Sequence, residues 1–234
     1  MDNLQVTAHM GCAIAVYDDY SPSLDALLEW LLLDSRGLTQ PNPTQGQVED
    51  SRELVFSQLP LGRGDLEGEW YWQASSPCYH YQTEITDRFR KRWDYHDRAL
   101  NWGKRKAKID TSQGAEKNYD LPLYLRLTDS IHWFCVGDKA GIEELLRDCK
   151  GVGKKRSQGH GQVLRWDVKA VEPDWHLWRD GQLMRPMPYH LLFSHSDILN
   201  GSNTRLMQWG WRPPARLAFN QALCVMPAVV QHVA

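Results

Sequence analysis

The chain has 234 residues, with 27 Lys and Arg against 29 Asp and Glu and a formal net charge of −2 at pH 7, so attraction for a polyanion has to come from local concentrations of charge. Its five cysteines are odd in number and include no Cys-x-x-Cys, which argues against a disulfide framework and a zinc knuckle and favours a reducing cytoplasm. The longest apolar run, residues 27–33, is broken by Glu29 and is too short to span a bilayer, and with no secretory leader expected the chain reads as soluble and intracellular.

Leu4, Val6 and Ala8 alternate as in a half-buried strand, and a second apolar run at 13–17 precedes Asp18 and Asp19. Ser21 and Pro22 read as N-cap and first residue of a helix whose stripe is Leu24, Leu27, Leu28, Leu31 and Leu32 and which ends near Gly37. Residues 37–50 read as an exposed loop. Strands are expected at 53–59 and 69–74, with a turn at Gly62-Arg63-Gly64-Asp65 between them.

From 83 to 118 the apolar period fades and cations gather: Arg88, Arg90, Lys91, Arg92, Arg98, Lys104, Arg105, Lys106, Lys108 and Lys117. Leu121, Leu123, Leu125 and Leu127 then alternate, and Thr128-Asp129 followed by an apolar run at 131–136 reads as a hairpin. Asp138 caps a helix with Ile142, Leu145, Leu146 and Cys149 on one face, expected to end at Gly151. A glycine-rich basic loop, 151–161, leads into a strand at 162–168. Beyond Glu172 the chain is rich in Pro and Trp and reads as short strands and loops packed on the main sheet.

Strand, helix, two strands, helix, strand is the order of the β-α-β-β-α-β ferredoxin-like (RRM-like) unit. The expected fold is therefore one α+β domain over 1–234, with an inserted basic thumb at 83–118, the glycine-rich loop at 151–161 and a C-terminal extension at 169–234.

The loop is the sharpest chemical feature. Gly151, Gly153, Gly159 and Gly161 permit close backbone approach to a ligand, while Lys154, Lys155, Arg156 and His160 offer charge or hydrogen bonds to phosphate. Neither common nucleotide fingerprint is present, and the loop runs from helix to strand, so no nucleotide cofactor is expected. The competing reading is a flexible cap with solvated lysines. In the insertion, cations interleave with Phe89, Trp93, Tyr95 and Trp102, a mixture suited to phosphates and unpaired bases; a surface helix laced with ion pairs is the alternative. The eleven tryptophans serve either base stacking or the core.

Catalytic candidates are thinner. The nine histidines include no recognised metal spacing, so no metal is expected. Asp18-Asp19 is better explained by the helix that follows than by Mg²⁺. His195 lies between Ser194 and Ser196 but without a nucleophile elbow.

The loop entering a strand after an amphipathic helix resembles the signature loop of the RAMP superfamily of CRISPR proteins. The stretch Val16-Tyr17-Asp18-Asp19-Tyr20-Ser21-Pro22-Ser23-Leu24-Asp25, the Gly68-Glu69-Trp70-Tyr71-Trp72 run followed by Ser76-Pro77-Cys78, and Arg90-Lys91-Arg92-Trp93 resemble the type IV CRISPR subunit that caps the 5′ handle of the guide. That resemblance covers most of the chain. It implies a non-catalytic crRNA-binding subunit whose loop residues Gly151, Gly153, Lys154, Lys155, Arg156, Gly159 and Gly161 and thumb residues Arg88, Arg90, Lys91, Arg92 and Trp93 hold the 5′ handle; from the basic composition of the insertion, Trp102, Lys104, Arg105 and Lys106 are expected to join them.

It further implies backbone subunits, a large subunit, a separate guide-processing endonuclease and an associated helicase as partners, and target DNA met indirectly in defence against plasmids or other mobile DNA. Two alternatives stand beside it. One is a metal-independent crRNA-processing endoribonuclease using His9, His80 or His160, although the first helix carries no histidine. The other is a binding or protein-interaction module outside CRISPR.

Overall fold

The computed structural model describes residues 1–39, 45–92, 111–113, 117–194, 205–215, 217–228 and 230–232. Up to the glycine-rich loop the chain forms β1 (Asp2–Met10), β2 (Ile14–Val16), α1 (Leu24–Ser35), α2 (Gln45–Gln58), β3 (Arg63–Leu66), β4 (Glu69–Trp72), β5 (Tyr79–Tyr81), β6 (Thr83–Lys91), β7 (Tyr119–Leu127), β8 (Ser130–Gly137) and α3 (Lys139–Leu146). Beyond the loop come β9 (Val163–Ala170), β10 (Trp178–Arg179), β11 (Gln182–Leu183), β12 (Met187–Pro188), β13 (Arg205–Gly210), β14 (Gln221–Met226) and β15 (Val230–His232). The architecture is α+β and mostly strand.

The period of two in β1 decides the central layer. Leu4, Val6 and Ala8 are buried on one face, opposite Cys135, Trp133 and Ile131 of β8 and Ala170, Val168 and Trp166 of β9, in an antiparallel sheet of order β8-β1-β9. α1 and α3 pack on one another against that face, contributing Leu24, Leu28 and Leu32 from one and Ile142 and Leu146 from the other. Trp133, wholly buried, donates its indole N–H to the carbonyl of Pro22 at 2.9 Å, which fixes the entry to α1. Outside β8, single antiparallel bridges run from Leu61, Ala74 and Cys78 to Gly137, Cys135 and His132.

A second sheet, β2-β7-β6, carries the base of the arm, and a third, β12-β14-β13, belongs to the C-terminal part. The latter builds its own apolar cluster from Leu177, Met187, Leu192, Trp211 and Cys224 together with Tyr20 and Tyr71. Between the two cores lies Arg185, 2% exposed. It donates to Asp25 Oδ2 at 3.0 Å, to the carbonyls of Ala74 at 2.8 Å and Trp211 at 2.7 Å, and to that of Trp72. Among the described residues no helix is long and apolar enough to cross a membrane.

Several local expectations are corrected. The cap of α1 is Ser23, not Ser21, and Pro22 lies before the helix. Part of the expected loop at 37–50 and the expected strand at 53–59 are helix α2, in which Leu54, Val55 and Phe56 are half-buried, buried and exposed in turn, as on a helical surface. The expected turn at 62–65 is largely strand β3, and the chain reverses at Glu67 and Gly68, both with positive φ. β7 and β8 do not pair. β7 lies between β2 and β6 while β8 pairs with β1, so Thr128-Asp129 carries the chain from one sheet to another. α3 stops at Leu146, before Gly151, although Asp138 caps it as expected by accepting from the Gly141 amide.

Candidate nucleic-acid interface

The glycine-rich loop is stitched to the chain beside β2 by its own backbone. Gly161 N–H donates to Ala13 O at 2.9 Å, Lys154 N–H to Ala15 O at 3.0 Å, and Val152 N–H to Gly161 O at 2.9 Å. The glycines serve this closure. A Cβ on Gly161 would stand 1.9 Å from Val152 O, and one on Gly153 would stand 2.7 Å from Ile14 Cγ1, both at positive φ. The sequence alone suggests that these glycines admit a ligand, whereas at 153 and 161 the backbone approached is the protein's own. Cys12 completes the stitching, donating from Sγ to Gly159 O at 3.0 Å and accepting from Gln162 N at 3.2 Å.

Held in this way, three consecutive cations each lie over an aromatic ring from a different element. Lys154 Nζ is 3.2 Å from the ring centroid of Tyr17 at the end of β2, Lys155 Nζ is 3.3 Å from that of Phe89 in β6, and Arg156 Cζ is 4.3 Å from that of Trp30 in α1. Lys155 adopts a left-handed φ of 57°, a conformation that costs a non-glycine residue roughly 1–2 kcal/mol; the Phe89 ring beneath its ammonium offsets part of that cost. Partial burial pulls the Lys154 pKa below its ordinary value, against Asp18, which raises it. His160, half-buried, borders with Lys150 and Arg156 an open pocket of about 490 Å³.

The base of the expected thumb is the two-stranded arm of β6 and β7. Its register places Arg88, Arg90 and Asp120 on one face and Phe89, Lys91, Tyr119 and Leu121 on the other. Arg88 and Arg90 share the Asp120 carboxylate at 2.8 and 3.3 Å, which leaves the trio one net positive charge. The hydrogen bond from Arg88 holds the Asp120 carboxyl below the usual carboxylate range. On the other face Phe89 stacks on Tyr119, with centroids 5.2 Å apart, and meets Lys155. The loop and the base of the arm therefore form one basic and aromatic surface. Lys91 ends β6 and Arg92 follows it; Trp93, Arg98, Trp102, Lys104, Arg105, Lys106 and Lys108 lie outside the described residues.

Tyr17 and Trp30 escape a reading of the sequence alone. The available signal is phase: Trp30 falls off the apolar stripe of α1, where an aromatic side chain is 37% exposed without need of core packing.

The remaining candidates divide cleanly. Asp18 Oδ1 accepts from the Tyr20 and Ser21 amides, and Asp19 pairs with Arg126 at 2.6 Å, so both are structural. Among the described residues no three His, Cys, Asp or Glu side chains gather as a metal site. His9 Nε2 lies 2.9 Å from the Asp167 carboxylate and 3.1 Å from the Arg165 guanidinium, on the central-sheet face away from the helices. His132, on the same face, is tied to Thr7 and Ser130, and burial lowers its pKa. His80 is exposed, and its carbonyl accepts from the Thr128 hydroxyl. Ser194 bonds Glu67, and His195 lies outside the described residues.

Comparison with known proteins adds identity to this geometry. No curated protein matches. A solved CRISPR protein from Archaeoglobus fulgidus is similar over 97% of this chain and 86% of its own, at 12% identity and a TM-score of 0.35, too distant to carry an argument. The family model described as CRISPR type IV associated protein Csf3 matches residues 2–198. That span contains β1 through β12, the whole glycine-rich loop and the arm, and the chain belongs to the Csf3 family of CRISPR type IV associated proteins.

Proposed function

We propose that the protein is a non-catalytic, crRNA-binding subunit of a type IV CRISPR effector ribonucleoprotein, gripping the repeat-derived 5′ handle between its glycine-rich loop and its arm. Three adjacent cations held against three rings, at the place where loop and arm meet, carry this reading. Single-stranded nucleic acid is the ligand that calls for phosphate-binding charge and base-stacking faces together. The scaffold is then a RAMP-type ferredoxin-like domain, in which β1, α1, β8, α3 and β9 supply five elements of the unit and the bridged segment near 74–78 takes the place of its remaining strand. Backbone subunits, the large subunit, the guide-processing endonuclease and the helicase are the partners this role implies, with target DNA met through the guide. Membership of a CRISPR family leaves no place for a module outside CRISPR.

The test is charge reversal of Lys154, Lys155 and Arg156 to Glu, with guide affinity measured over a range of salt. Each phosphate that the variant no longer neutralises flattens the log–log slope by about 0.7 for single strands, so the variant binds more weakly and with a shallower slope. An unchanged slope removes the loop from the interface.

One observation favours the nuclease alternative: the His9 imidazole is oriented by the Asp167 carboxylate, as a general base often is. Arg165 at the same ring nitrogen and Lys169 beside the carboxylate make phosphate binding the simpler use. End-labelled repeat RNA incubated without metal should stay intact. Cleavage at one position, abolished in His9→Ala, would establish the enzyme instead.

A further inference from the structure

Beside the loop, between β2 and the first turns of α1, lies an open groove of about 230 Å³. Its wall is mostly apolar, with Pro22, Leu27, Tyr17 and Trp30, and the same groove is lined by Lys154 and Arg156. The two aromatic residues are 48% and 37% exposed, unlike the core aromatics of the central sheet. Asp18 also borders the groove, but its Oδ1 is occupied by the Tyr20 and Ser21 amides.

We infer that this groove is a base-binding pocket: an unstacked base of the bound strand lies against Trp30 and Tyr17, and the flanking phosphates take Lys154 and Arg156 off those rings. The inference rests on the loop reading above and adds which residues hold a base. A ligand with a flat apolar body and an anionic chain fits an apolar wall edged by two cations; a hydrophobic peptide would bring those cations no anion beyond Asp18. Each cation sits on the ring it would expose, so binding exchanges a cation–π contact for a charge-assisted bond to phosphate and frees an aromatic face in the same movement.

Oligoadenylate and an abasic oligoribonucleotide of the same length, which has the same phosphates and no bases, separate the two claims when titrated against the full chain. Trp30→Ala should weaken oligoadenylate binding by about five- to 150-fold, the span expected for removal of one base stack, while leaving the abasic strand unaffected. Trp30→Phe, which keeps a ring, should retain most of the adenylate affinity. Trp30 lies off the buried stripe, so both variants are expected to fold. Reversal of the three loop cations should weaken binding of both strands.

If Trp30→Ala has no effect, or the same effect on both RNAs, while the loop variant weakens both, the pocket is refuted and the loop reading stands. If the loop variant changes neither, or the unaltered chain binds neither RNA, the loop reading fails and the pocket with it.

Discussion

Arg185→Ala will lower the free energy of unfolding by about 3–5 kcal/mol, the cost of leaving one member of a buried ion pair alone, in equilibrium denaturation by urea. The guanidinium is 2% exposed and its Asp25 partner 0%. Removing it leaves a carboxylate out of water, with the Ala26 amide on its other oxygen, and withdraws a donor from the carbonyls of Trp72, Ala74 and Trp211. Those groups belong to α1, to the chain at and just after β4, and to the C-terminal part, so the loss falls on the joint between the two cores. Arg185→Met combined with Asp25→Leu should recover part of the loss, because no charge is then stranded, though not all, because the carbonyls stay unpaired. A loss of about 1 kcal/mol or less, the range of a surface pair, would mean that water reaches the site.

Gly161→Ala will abolish the guide affinity contributed by the loop while leaving the two cores folded. The added methyl would stand 1.9 Å from a backbone oxygen at a φ of +67°, and no rotamer change relieves a clash with backbone. The loop segments around 152 and 161 must part, which breaks the Gly161–Ala13 and Val152–Gly161 hydrogen bonds that set the loop's shape. Gly159→Ala is the control: its φ is +89° but nothing lies within 4 Å of the new methyl, so it carries only conformational strain of about 1 kcal/mol. Salt-dependent binding of both variants beside their circular dichroism checks the contrast. Affinity in Gly161→Ala equal to that of the unaltered chain would show that the loop's cations work without its shape.

The parts of the fold legible in the sequence are those where one local pattern has one meaning. The stripe from Leu24 to Leu32 and the Asp138 cap before Ile142 and Leu146 each specify a helix through side chains a turn apart, and both helices are present. Where the pattern is ambiguous, tertiary contacts decide. Leu54-Val55-Phe56 has no period of its own, and its helical state rests on Val55 and Leu59 entering the core. Gly62 and Gly64 mimic a turn, yet they lie beside and in strand β3, where they are glycines because an added Cβ would meet the end of Gln73 at 2.3 Å and the Tyr71 ring at 2.6 Å.

Thr128-Asp129 is a turn in either topology, and only long-range pairing determines that β7 and β8 join different sheets. The candidate site follows the same rule. Lys154, Lys155 and Arg156 announce themselves by adjacency, but their rings come from positions 17, 89 and 30, which no spacing along the chain connects.

The Asp25–Arg185 pair spans 160 residues of sequence, and that separation sets an order of events on the ribosome. At about 5–20 residues per second of synthesis, the arginine follows the aspartate by roughly eight to thirty seconds. Through that interval the carboxylate lacks its native guanidinium, so the first turn of α1 has to keep Asp25 in contact with water. The N-terminal core can therefore reach its final packing only after the C-terminal half has emerged.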